Sequence, residues 1–240
     1  MVGFTENFWA TIAPTNATNQ NITWRSSNSA VATVNIQGEI TAQSVGTATI
    51  TATTACGRSA NVAVTVTANT LSNSLDGVVI GGIRWATRNV DMPGTFAQSP
   101  TDRGMMYQWN RRVAWWWTDS GIVSLNGDTA LDTTIPTGTA WYRENDPCPQ
   151  GWRVPSEEEW RLLIDVGSIW VRYNGVFGNL FGTAPNQIFL NSSSGSAVSG
   201  HTQNSYWSGG RNIRMLGSTV YMSSSSPRTN ALFIRCVAEN

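Results

Sequence analysis

From Phe8 to Thr67, polar and apolar residues alternate in short runs rich in Thr, Val and Ile: Ile22-Thr23-Trp24, Ala32-Thr33-Val34, Thr47 to Ala52, and Asn61 to Val66. A period of two places successive side chains on opposite faces, so each run predicts a strand with one buried face. Ser26-Ser27-Asn28-Ser29, Gln37-Gly38 and Ser44-Val45-Gly46 separate the runs as turns. Short strands at this spacing predict a β-sandwich rather than a helical fold. The segment is poor in chemistry, with Glu6, Glu39, Arg25 and Arg58 as its charges before residue 68 and no His.

Beyond Gly77 the pattern changes. Helix signals are scarce, and the clearest begins at Ser156, which follows Pro155 and has Glu159 three residues later to close a capping box. Glu157, Glu158 and Glu159 suit the positive end of the helix dipole and are read as cap residues, not catalytic acids. Trp160, Leu163 and Ile164 share one helical face and are expected to bury it. Near the C-terminus, alternation through Ile213, Met215, Val220 and Met222 predicts strands with these residues inward and their neighbours outward. Trp207 is expected in the core.

Composition sharpens the division. Ten of the twelve Trp lie from Trp85 onward. Only 12% of the chain is charged, and Gly, Ser, Thr and Asn supply most of its polar surface. Fifteen basic residues balance fifteen acidic ones, so no net field attracts nucleic acid or anionic lipid. All fifteen basic residues are Arg; nothing in the sequence explains the missing Lys, which excludes a lysine Schiff base or Walker lysine. No apolar run is long enough to span a bilayer, and Met1-Val2-Gly3-Phe4 opens no secretory leader. The expected organisation is a β domain over 1–68, a linker over 69–77 and a second domain over 78–240.

Pro14 to Asn28, with Val31-Ala32-Thr33-Val34, Gly38 and Gly46 to Thr51, resembles the bacterial immunoglobulin-like domain of group 2. That resemblance implies an all-β Ig-like sandwich acting as a spacer or adhesive unit, here with a shortened first strand. Gly81 to Val90, Pro93 to Phe96, Gly104 to Arg111 and above all Asn145 to Trp160 resemble the C-type-lectin-like fold, in the branch shared by the Fibrobacter major paralogous domain and the formylglycine-generating enzymes. The resemblance implies an α+β domain whose terminal strands pair and whose long irregular loops carry binding.

Three Cys allow three single bridges, and the sequence alone does not choose. The lectin-like resemblance favours Cys148 with Cys236, which would fit an oxidising, exported setting, against buried free thiols. Cys56 is expected to pack inside the Ig-like domain.

Residues 205–232 resemble the variable region of Bacteroides-type target proteins of diversity-generating retroelements, in which loop identities are exchanged while the fold stays constant. This implies a ligand surface of Tyr206, Ser208, Gly210, Arg211, Asn212, Arg214, Tyr221, Ser223, Ser224, Ser225, Arg228 and Asn230. Aromatic and Arg positions would anchor a partner, and Ser and Asn would adapt to it. The alternative is a solvated Ser-rich loop that binds nothing.

Other chemistries fit less well. A formylglycine-generating relative needs a redox cysteine pair or copper-binding thiols in a cleft, and Cys148 and Cys236 are expected at structural positions. His201 is the one His and lies in a Gly/Ser-rich stretch, so triads and His-rich metal sites lack their parts. Asn126, Asp128 and Asp132 match no EF-hand spacing and read as a turn. Trp115-Trp116-Trp117 would alternate in a strand, which breaks a continuous sugar platform and buries at least one ring. The expected function is a non-enzymatic ligand- or receptor-binding protein without cofactor or metal. It would be exported to a cell surface or virion, with a protein or glycan receptor and no nucleic acid partner. A constant carbohydrate-binding or pilus-tip-like adhesin is the alternative.

Overall fold

The structure, a computed structural model, describes residues 1–68, 77–192, 205–223 and 227–239. Apart from Gly77, the expected linker lies outside the described residues, as do His201, Ser224 and Ser225. The chain forms two compact units, Met1–Thr70 with Val171–Gly175, and Leu71–Trp170 with Val176–Asn240.

In the first unit, strands Ile22–Ser26 and Ser59–Val66 flank Gly46–Thr54 in an antiparallel sheet. A second layer has Glu39–Ala42 between Ala32–Val34 and Phe4–Asn7. Every second residue of the central strand, Ala48, Ile50 and Ala52, is buried, as the pleat requires. Val31, Ala32, Ile40 and Val66 complete this core with Ala48 and Ile50. The first strand has four residues, and its Phe4 and Thr5 pair with Tyr173 and Arg172 of the unit's own Val171–Gly175 segment. Cys56 differs from expectation: it is exposed, because the turn joining Gly46–Thr54 to Ser59–Val66 projects its thiol into solvent beside the Thr54 hydroxyl.

In the second unit, Ile83–Asn89 pairs antiparallel with Arg235–Ala238, with Val78–Ile80 and Trp152–Arg153 outside them. A second sheet runs Gly121–Ser124, Ala114–Thr118, Met106–Gln108, Ala231–Leu232. A third runs Ser205–Trp207, Asn212–Leu216, Thr219–Ser223. Among the described residues there is one α-helix, Glu157–Val166. Ser156 accepts the Glu159 N–H while Glu159 accepts the Ser156 N–H, closing the capping box. Glu159 also holds Arg153 at 2.6 Å.

Trp160 and Leu163 are fully buried, and the Trp160 ring lies 4.9 Å from Trp85 and 6.0 Å from Tyr206. Cys148 and Cys236 are joined by a disulfide across a sequence separation of 88. Arg235 is fully buried and donates to the Asn89 side chain and to the carbonyls of Ala86 and Phe189. Burial pulls its guanidinium down to about 10, so it stays charged at neutral pH.

Candidate functional site

The hairpin Asn212–Leu216/Thr219–Ser223 has two unlike faces. Ile213 and Met215 are fully buried, and Val220 and Met222 pack against the same core, as alternation requires. The opposite face carries two cross-strand rows, Ser205, Arg214 and Tyr221 in one and Trp207, Asn212 and Ser223 in the other. Tyr221 and Leu216 are exposed, Arg214 is half-buried, and Asn212 and Ser223 are buried. Gly217 opens the two-residue turn at φ +57, a conformation that side-chain-bearing residues rarely adopt.

The hairpin and the turn preceding it are gripped largely through backbone atoms. Three indole N–H groups reach three consecutive carbonyls: Trp160 to Trp207 at 3.2 Å, Trp141 to Ser208 at 3.3 Å and Trp109 to Gly209 at 2.9 Å. Trp207 in turn donates to the Tyr107 carbonyl at 2.6 Å. At the far end, the Asn179 amide donates to the Gly217 carbonyl at 3.1 Å. An indole carries one donor and no acceptor, so each of these Trp residues is satisfied by a carbonyl whatever side chain that residue bears.

Four of the expected contact residues are placed differently from a solvent-facing surface. The Tyr206 ring sits in the core, 6.0 Å from both Trp160 and Phe233, and accepts from the Asn89 amide; burial raises its phenol above the ordinary value. Ser208 is buried because its hydroxyl closes the local turn, donating to the Arg211 carbonyl and accepting the Arg211 N–H. Asn212 and Ser223 are buried beside Trp207 in the second row. Gly210 fills a narrow space, since a Cβ there would lie 3.0 Å from Glu157 Oε1 and 3.3 Å from the Thr139 carbonyl.

The other expected residues that the structure describes remain available at least in part. Arg211 is exposed, 3.6 Å from Glu157. Arg214 makes no ion pair or side-chain hydrogen bond with the described residues. Arg228 stacks 3.8 Å over the Trp109 ring and donates to the Pro136 carbonyl. Asn230 is half-buried.

Beside Arg228 lies a depression of about 550 Å³ lined by residues 110–113 and 134–137, Tyr142 and Asn145. Sequence reasoning missed it, because its wall is an irregular loop without a pattern. Arg111 is pinned at 2.8 Å to Asp132, whose carboxyl is held below its ordinary value by the N–H and hydroxyl of Thr134. Arg112 is exposed at the rim. Asp128 accepts from the Ser124 hydroxyl at 2.7 Å, so Asn126, Asp128 and Asp132 serve local turns. In the Trp run, Trp115 is buried, Trp116 half-buried and Trp117 partly exposed.

Residues 1–66 match the family described as bacterial Ig-like domain (group 2). The chain is 41% identical over 75 residues to an uncharacterized protein of Clostridium acetobutylicum, covering 31% of this chain and 8% of that protein. It is 49% identical over 65 residues to a lacto-N-biosidase of Bifidobacterium bifidum, covering 27% of this chain and 6% of that enzyme. The chain thus spans less than a tenth of the length of these relatives. With its two strand layers and alternating core, the segment 1–66 is a bacterial Ig-like domain of group 2.

Proposed function

We propose that the second unit is a C-type-lectin-like ligand-binding domain, that its hairpin and adjoining turn form the recognition surface, and that the Ig-like domain is its spacer. The chain is a non-enzymatic receptor-binding protein of a cell surface or virion, and 205–232 is the variable region of a retroelement target. The observation that carries this is the backbone grip. Trp160, Trp141 and Trp109 hold the carbonyls of residues 207, 208 and 209, and Asn179 holds that of Gly217. Such a grip keeps the segment in place while Arg211, Arg214, Tyr221 and the turn residues are exchanged, which is what a surface of changing specificity requires. The pairing of Ile83–Asn89 with Arg235–Ala238, and the Cys148–Cys236 bridge beside the capped helix, support the lectin-like assignment.

The test is a displayed library of the full chain randomised at 211, 214, 219, 221, 228 and 230. Folded variants that bind new protein targets are the expected yield; loss of folding across the library, or folded variants that never bind, overturns the proposal. A near-identical template repeat and a reverse transcriptase gene beside the coding sequence are expected as well, and their absence removes the retroelement part. The half-buried Trp116 and partly exposed Trp117 keep the constant adhesin in view. That alternative requires glycan binding lost with Trp117→Ala and untouched by changes at 211–230.

A further inference from the structure

The charge of the proposed surface is one-sided although the whole chain is neutral. Between Asp165 and Glu239 the sequence contains no Asp or Glu but five Arg: 172, 211, 214, 228 and 235. Arg172 is paired with Glu39, and Arg235 is buried. Among the described residues Arg214 meets no carboxylate, and Arg228 is engaged by a ring and a carbonyl, both uncharged, so neither positive charge is neutralised there. Arg211 has Glu157 only at 3.6 Å.

A second observation lies on the same face. Asn212 is 1% exposed, yet neither its Nδ2 nor its Oδ1 has a partner among the described residues, and the Ser205 hydroxyl of the adjacent row is buried and likewise unpartnered among them. Buried amides are ordinarily paired, because leaving one unmade forfeits its hydration without return. Two orphaned polar side chains flank Arg214 along its strand and across it. Beside them Tyr221 and Leu216 present apolar surface to solvent.

Resting on the binding function proposed above, we infer that this face takes an acidic protein surface. One partner carboxylate pairs with Arg214, between Tyr221 and the Ser205–Asn212 polar pair, and apolar contacts form on Tyr221 and Leu216. Arg and Tyr with an apolar neighbour are the residues that dominate protein interfaces. A neutral sugar can accept from Arg214 but brings no negative charge to meet it, whereas a carboxylate makes the stronger charge-assisted bond. The unpartnered Asn212 amide is buried in the free protein, where it costs stability, and it reaches the partner only as binding uncovers it.

The full chain is tested in solution against three probes: a glutamate–tyrosine copolymer, polylysine and polysialic acid. The copolymer is expected to bind, weakening as salt rises. Arg214→Glu is expected to reduce that binding by about tenfold or more, as for charge reversal at a close interfacial pair. Arg25→Glu makes the same change in net charge on the Ig-like domain and is expected to leave binding unchanged. Asn212→Ala is expected to weaken binding while the melting temperature holds or rises. Binding to the copolymer that ignores Arg214→Glu overturns the inference, as does failure to bind the copolymer above polylysine. Preference for polysialic acid, lost with Arg214→Glu, assigns the face to an acidic glycan instead. A lower melting temperature in Asn212→Ala makes that amide structural. If the randomised library yields binders while the acidic probe fails, the acidic partner falls and the binding function stands.

Discussion

The two units solve the same problem, a stable β framework on few charges, by different means. The Ig-like unit relies on alternation: Ala48, Ile50 and Ala52 point inward and the polar residues between them point out. The second unit relies on large anchors and on bonds from side chains to backbone, with Trp85, Trp109, Trp160 and Trp207 all buried and three indoles tied to successive carbonyls. The first device ties each buried residue to its facing neighbours. The second fixes the path of the chain and leaves the outward side chains unconstrained.

The largest test of that contrast is the disulfide. Replacing Cys148 with Ser is expected to destabilise the second unit by about 4–5 kcal/mol on a chain-entropy basis, read as a lower midpoint of that unit's calorimetric transition. Trp160→Ala removes a buried ring and one grip, and about 3–5 kcal/mol is expected for a buried Trp. Trp141→Phe keeps the ring bulk and deletes the N–H, so about 1 kcal/mol is expected. Faster amide exchange around 208–211 is expected to accompany it.

Acid adds a smaller test. Burial works to raise the Glu159 carboxyl, but the Arg153 guanidinium and the Ser156 N–H outweigh it and hold the group below its ordinary 4.5. A carboxyl lowered by folding contributes stability that is fully present above pH 4.5 and is lost as pH falls through its lower folded value. Glu159→Gln is expected to flatten the acid limb of a melting-temperature profile. Smallest of all, Arg211→Ser and Tyr221→Ser are each expected to move stability by no more than about 0.5 kcal/mol. A larger loss in either would show that the outer face is structural after all.

The Ig-like strands were legible because a period of two with Thr, Val and Ile admits one pleated solution. The helix was legible because Ser156 and Glu159 write its start locally. In the hairpin, alternation placed Ile213 and Met215 inward and Arg214 and Tyr221 outward. Alternation misplaced Asn212, and the variable-region resemblance misplaced Tyr206, because burial there depends on what covers the sheet, which no local pattern records. Cys56 was misplaced for a related reason: buried thiols are common, but a turn between two edge-joined strands has nothing to pack on. The indole grips were invisible as contacts, yet the Trp surplus was their signal. Their partners are carbonyls, identical at every position, so the sequence cannot say which residues they hold.

Arg235 bears on the order of events during synthesis. Its guanidinium ties Ala86 and Asn89, early in the second unit, to Phe189 much later, and among the described residues no carboxylate pairs with it. Those ligands have no cation to gather around until residue 235 has cleared the ribosome. A chain cut before residue 235 is therefore expected to lose the second unit's cooperative melting transition, although the hairpin Asn212–Leu216/Thr219–Ser223 would still be present in it.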